Sequence, residues 1–172
     1  MPCALFPTRF GTCGIAWNDA GLTSFHLPGE GKELTARSLA ARAGAQTGEP
    51  PEWVGRVIAG VQLHFEGRLQ DFTGTPLDRS CATDFQMAVY AQAQAIKAGC
   101  TRSYGEIARN LAMGSEAARA VGLALASNPW PLIVPCHRVV SADGKMTGFS
   151  GPGGIRTKTR LLALEGAELL SD

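Results

Sequence analysis

Nowhere in its 172 residues does the chain hold the unbroken run of roughly 20 apolar residues that a membrane-spanning helix needs. The first residues also lack a basic segment followed by a long apolar run, so no secretory signal is read there and a cytosolic protein is expected. No C-x-x-C pair occurs among Cys3, Cys13, Cys81, Cys100 and Cys136, which removes the usual spacings of zinc ribbons and thioredoxin-like redox sites. Their odd number argues for reduced thiols over a disulfide framework. Internal repeats and low-complexity tracts are absent as well.

What remains is an ordinary globular composition, with 45% hydrophobic and 18% charged residues, long enough for one large domain or two small ones. The net charge of +1 says little until it is divided along the chain. Residues 1–81 carry seven Lys/Arg against eight Asp/Glu, and residues 82–172 carry nine against seven. All nine of the latter basic residues lie between Lys97 and Arg160, where only Glu106, Glu116 and Asp143 oppose them. Such a local excess suits a polyanionic partner; a solvated basic surface is the alternative.

The first half reads as a small α+β unit. Phe10–Trp17 and Leu22–Leu27 form a candidate strand pair across the turn-forming Asn18-Asp19-Ala20-Gly21. Helical patterns follow at Lys32–Ala43 and at Pro51–Phe65, the second opening on a proline suited to a first turn. Glycines and a proline between Gly67 and Asp78 place a domain boundary near residues 74–81, giving domains of 1–78 and 79–172.

In the second half, Asp84–Ala98 predicts an amphipathic helix stopped by Gly99. Ser103 and Glu106 have the S-x-x-E spacing of a capping box, which predicts a helix over Tyr104–Met113. Gly114 can take the left-handed conformation that ends it, and Ser115 can cap a helix over Glu116–Ala126. Two short helices joined by this turn make a helix-turn-helix. On the second, Ala118, Val121 and Leu125 point inward, leaving a face of Glu116, Ala117, Arg119, Ala120 and Gly122 with one bulky side chain. A face this bare allows close approach, either to a partner or to a packed neighbour. Asn128-Pro129 ends the helix, and Leu132-Ile133-Val134 reads as a short buried strand or strand-like run.

Pro135-Cys136-His137-Arg138-Val139-Val140 comes next. A cysteine attacks as its thiolate, so a proton acceptor is needed at neutral pH. His137 is adjacent, but neighbours on an extended chain face opposite ways, so a bridging water is the expected link. An imidazole base needs an acid to fix its tautomer, and Glu165 is the candidate, in the last turn of a helix from about Ile155 where the helix dipole disfavours an anion. Taken singly, Cys136 could be a small buried hydrophobe and Glu165 an exposed surface acid.

Together these pieces resemble the O6-alkylguanine-DNA alkyltransferase family. The resemblance rests on Pro76-Leu77-Asp78, Thr101-Arg102-Ser103-Tyr104-Gly105-Glu106-Ile107-Ala108, Ala118-Arg119-Ala120-Val121-Gly122, Asn128-Pro129, the Pro135–Val140 run, Gly148-Phe149-Ser150-Gly151 and Leu161–Gly166, in that order. It implies an α/β protein: a ribonuclease-H-like amino-terminal domain, then a mostly helical domain with the helix-turn-helix. It implies direct-reversal repair of double-stranded DNA, with the alkyl group of O6-alkylguanine, and of O4-alkylthymine as a second candidate, passing irreversibly to Cys136.

The same resemblance makes His137 the base, Glu165 its orienting acid, Asn128 a hinge, and Tyr104 a DNA-binding residue that helps rotate the phosphate and donates a proton to the flipped base. Arg119 would fill the space of the extruded nucleotide, while Ser115, Ala118, Ala120 and Gly122 would lie along the DNA minor groove. Val139, Phe149, Ser150 and Gly151 would wall the pocket. The chain departs from the family in the extra Gly/Pro character of its FSGPGGIRTK loop and in Cys100. No cofactor is expected, since the thiol is the acceptor; no metal is expected, since Cys3, Cys13, His26 and His64 follow no standard ligand spacing. A monomer without membrane contact is implied. Two rivals are a damage sensor on the same scaffold, which the presence of Cys136 disfavours, and a Cys-His-Glu hydrolase, which would need an oxyanion hole and no Arg119 face.

Overall fold

The computed structural model describes residues 1–29, 35–37, 39, 46–143 and 154–167. It is a mixed α/β structure whose chain divides into two compact units. The first contains Met1–Cys81 and Pro129–Ile133, and the second Ala82–Asn128 and Val134–Asp172. No helix among the described residues is long and apolar enough to cross a membrane.

In the first unit, β1 (Pro2–Thr8), β2 (Gly11–Asn18), β3 (Gly21–His26) and β4 (Gln46–Thr47) form one sheet in the order β3-β2-β1-β4. The expected hairpin is β2 and β3, antiparallel, its turn tied by Asn18 Oδ1 accepting from the N–H groups of Ala20 (2.8 Å) and Gly21 (3.1 Å). β1 was not expected: Pro2 and Pro7 mask its strand pattern; Pro2 is the first residue of the strand, and Pro7 lies beyond the two-residue pairing with β4, where β1 is an edge. α1 (Glu52–Phe65) follows Pro51 and buries Val54, Val57, Val61, His64 and Phe65 on one stripe. Of the helix expected over Lys32–Ala43, only residues 35–37 and 39 fall within the description, and they are helical.

Pro76-Leu77-Asp78 is fastened to the start of β3. Leu22 N–H donates to the Pro76 carbonyl and Asp78 N–H to the Leu22 carbonyl, both at 2.9 Å. Gly21 is required here: its φ is 145° and a Cβ would stand 2.6 Å from the Pro76 carbonyl carbon. Residues 129–133, from the second half of the sequence, cluster with this unit; Phe25 N–H donates to the Pro129 carbonyl and the Trp130 indole to the Leu22 carbonyl, each at 2.9 Å. Of the run expected as a strand or strand-like at Leu132–Val134, all three residues are buried, but Leu132 and Ile133 form a turn, with Leu132 at φ 75°, and only Val134 is a bridge residue.

The second unit begins with α2 (Asp84–Gln94), opened by a capping box in which Thr83 and Gln86 bond reciprocally. It ends short of the expected Ala98. Gly99 takes φ 87°, and a Cβ on it would come within 3.0 Å of the Glu165 carbonyl oxygen. β5 (Arg102–Ser103) pairs in parallel with β6 (Val139–Val140). The expected Ser103–Glu106 box starts α3 (Tyr104–Asn110).

The end of α3 differs from expectation. Ala112, not Gly114, takes the left-handed conformation, at φ 58°, with Met113 N–H bonding the Ala108 carbonyl (3.0 Å) and Ala112 N–H that of Arg109 (2.9 Å). This double closure fixes the helix end three residues earlier than expected. A 3-10 turn over Ser115–Ala117 then precedes α4 (Ala118–Ala126), so the second helix starts two residues late, with Ala117 in place of Ser115 at its N-cap. Tyr90 Oη of α2 donates to the Ala124 carbonyl at 2.7 Å, fully buried, and sets the depth of α4. The last helix, α5 (Ile155–Leu164), ends as expected before Gly166 at φ 73°.

Candidate active site

Cys136–Arg138 form one 3-10 turn, closed by Cys136 N–H to the Val134 carbonyl (2.8 Å) and Arg138 N–H to the Pro135 carbonyl (3.0 Å). The extended chain assumed from sequence is therefore replaced by a tight helical one. Successive side chains diverge by about a third of a turn rather than half, so Cys136, His137 and Arg138 fan into three directions. Cys136 is half-buried, His137 wholly buried and Arg138 nearly so.

His137 Nε2 lies 2.9 Å from Glu165 Oε1, with both side chains inaccessible to solvent. A carboxylate at that distance places the ring proton on Nε2 and makes Nδ1 the basic nitrogen. Glu165 is the C-cap of α5, where the helix dipole opposes an anion. Arg138 supplies the compensation that sequence reasoning missed: its Nε donates to Oε2 at 3.0 Å and its Nη2 to Oε1 at 2.8 Å. Its Nη1 donates to the Ile96 carbonyl at 2.7 Å, just past the end of α2. The guanidinium thus anchors the carboxylate in a two-pronged grip, and the buried charge is paired.

Around the thiol the forces oppose one another. Burial pushes the Cys136 thiol above its ordinary value, while a hydrogen bond from Asn128, the Lys158 ammonium and the N–H groups of Cys136 and His137 pull the other way without overcoming it. Asn128 also donates from Nδ2 to the Val134 carbonyl at 2.9 Å, so one amide holds both the turn and the sulfur. Lys158, second of the residues missed from sequence, is 1% exposed and donates to the Val139 carbonyl at 2.8 Å. Burial lowers its basicity, with Cys136 opposing that shift. Its Nζ stands 5.8 Å from the centroid of the Tyr104 ring. A signal for Lys158 existed: it lies seven residues before Glu165 and three before Leu161, on the inward stripe of α5.

Arg119 is exposed on α4, and Ala118 and Ala120 are half-buried beside it. Gly122 sits over Tyr104, where a Cβ would meet the ring edge at 3.8 Å. Val139 is wholly buried. The side chain of Ser115, and all of Phe149, Ser150 and Gly151, lie outside the described residues. The basic excess is also re-sorted: Lys97, Arg102, Arg109, Arg119, Arg156 and Arg160 are exposed, but Arg138 and Lys158 belong to the interior. Among the described residues no group of three or more His, Cys, Asp and Glu side chains is placed to hold a metal. His64 Nδ1 accepts from Gln70 N–H at 3.0 Å.

A half-buried cysteine on the same turn as an imidazole–carboxylate pair, in one unit with a helix-turn-helix that carries an exposed arginine, is the make-up expected of a DNA-binding protein with a reactive cysteine. The family described as "6-O-methylguanine DNA methyltransferase, DNA binding domain" matches residues 84–167. The methylated-DNA–protein-cysteine methyltransferase of Mycobacterium leprae is 37% identical over 161 residues, covering 89% of this chain and 92% of the relative. That of Methanothermobacter thermautotrophicus is 31% identical over 156 residues, covering 91% and 80%. The crystal structure of Mycobacterium tuberculosis OGT in complex with DNA superposes with a TM-score of 0.75 at 35% identity, covering 96% of this chain and 93% of that one. The chain belongs to the methylated-DNA–protein-cysteine methyltransferase family.

Proposed function

We propose that this protein repairs double-stranded DNA by moving the alkyl group of O6-alkylguanine onto Cys136 Sγ, once per molecule. The observation that carries the reading is the buried His137–Glu165 contact at 2.9 Å on the same tight turn as the half-buried Cys136. Glu165, held by Arg138, fixes the imidazole so that Nδ1 takes the thiol proton directly or through water. The resulting thiolate displaces at the alkyl carbon: the S–C bond forms, the C–O6 bond breaks, and guanine leaves with the bonding electrons. Tyr104 supplies the proton that neutralises the departing base, and the Lys158 cation beside both Tyr104 and Cys136 favours the anionic form of each. The thioether has no leaving group better than the thiolate itself, so no second turnover follows. Neither metal nor organic cofactor enters these steps.

The alkylated oxygen lies within stacked bases, so the nucleotide must leave the duplex at a cost of a few kcal/mol. Arg119 offsets part of this by filling the gap, and Ser115, Ala118, Ala120 and Gly122 let α4 enter the minor groove closely. Asn128 is the hinge between α4 and the cysteine turn. Val139 with Phe149, Ser150 and Gly151 bounds the pocket. In this reading the first domain, residues 1–78, has a ribonuclease-H-like form and the second, residues 79–172, holds DNA and reacts; the protein works as a cytoplasmic monomer.

The test is the intact mass of the protein after incubation with excess duplex carrying one O6-methylguanine, followed by peptide mapping. A single methyl group on Cys136, with no further turnover, is expected. An unchanged mass despite DNA binding would move the protein to the damage-sensing class.

A further inference from the structure

The helix face that sequence reasoning left nearly bare carries a second protruding side chain. Leu123 is 62% exposed, the most open of the exposed large hydrophobics among the described residues. It stands four residues after Arg119, hence on the same face of α4 and one turn along. Its neighbours on the helix are small: Ala120, Gly122, Ala124 and Ala126. Val121, Ala124 and Leu125 already supply the buried stripe, so Leu123 adds nothing to the core.

From this we infer that Leu123 is an apolar wedge for the duplex, working as a positioning residue alongside Arg119. The inference rests on the repair reading above and adds to it. One helical turn advances 5.4 Å, which is between one and two base-pair rises of about 3.4 Å. With α4 in the minor groove and Arg119 in the gap left by the flipped nucleotide, Leu123 meets the neighbouring base step and the sugar edges beside it. Branched apolar side chains in that position partly unstack a step and hold the duplex bent, and they do so without reading sequence. Arg119 then fills the vacated space while Leu123 keeps the adjacent stack from closing on it. A leucine there also buries apolar surface that water otherwise covers.

The experiment compares wild type, Leu123→Ala and Leu123→Met in single-turnover reactions with duplex O6-methylguanine and with free O6-benzylguanine. Alanine keeps the helix, and melting curves confirm the fold. The ratio of duplex rate to free-base rate is expected to fall about five- to tenfold in Leu123→Ala and to return most of the way in Leu123→Met. A 2-aminopurine placed one or two steps from the lesion brightens on binding of wild type and of Leu123→Met, and less with Leu123→Ala. An unchanged rate ratio together with unchanged fluorescence overturns the wedge. So does an equal loss on both substrates, which would place Leu123 in the reaction pocket. Wild type that takes no alkyl group from duplex DNA would overturn the repair reading itself, an outcome distinct from either.

Discussion

Glu165 shows how little of a buried site a side chain's own position reveals. By sequence it is an acid at the wrong end of a helix; in the fold it accepts hydrogen bonds from both Arg138 and His137. Glu165→Gln keeps the shape and removes the charge, leaving the Arg138 guanidinium buried without its counter-ion. We expect it to lower unfolding stability by about 3–5 kcal/mol and to slow alkyl transfer, measured by denaturant titration and single-turnover rates. A loss below about 1 kcal/mol would mean that the pair is not buried as described. The thiol gives a second prediction. Burial raises the Cys136 value above the ordinary one, so the protonated form dominates at neutral pH and the thiolate fraction grows as pH rises. The rate with free O6-benzylguanine should therefore climb from pH 7 to pH 9 and beyond. A plateau already reached at pH 7 would show a preformed thiolate. Cys13 is the inert contrast, pushed by burial up to about 12 in the core of β2.

Capping placed the start of α3 but not that of α4, where Ala117 stands at the N-cap in place of Ser115. Ser103 and Glu106 predicted the start of α3 to the residue, because the reciprocal bonds need only their own spacing. Its end went to Ala112, because the turn into α4 requires left-handed backbone there and no local feature of the sequence places it. An alanine in that conformation is strained by about 1–2 kcal/mol. Ala112→Gly should consequently raise stability by about 1 kcal/mol, part of the relief being offset by the greater freedom of the unfolded chain. A melting temperature unchanged or lowered would contradict the left-handed assignment. The Thr83–Gln86 box is legible by the same rule, whereas the Leu132 turn is not, since a three-residue apolar run looks alike as strand or buried turn.

Across the whole molecule, the chain leaves its second unit after Asn128, spends residues 129–133 in the first, and returns one residue before Pro135. Asn128 and Val134 on either side of that excursion are hydrogen-bonded, so the cysteine turn is registered to the end of α4. Reaction with DNA and reaction with a free base can accordingly be separated: Arg119→Ala should slow repair in duplex DNA at least tenfold more than it slows reaction with free O6-benzylguanine, on the order of the few kcal/mol that flipping costs. Equal losses in the two single-turnover assays would remove Arg119 from the flipping step. The order of short motifs was enough to establish the family and to single out the helix-turn-helix and the proposed nucleophile, because these rest on spacing within a few residues. Burial and long-range pairing were not available to such reasoning. Only the packed chain withdrew Arg138 and Lys158 from the basic surface into the site, joined Glu165 to a histidine 28 residues before it, and left Leu123 in the open. Each of these depends on which groups lose contact with water, and that is decided by neighbours distant in sequence.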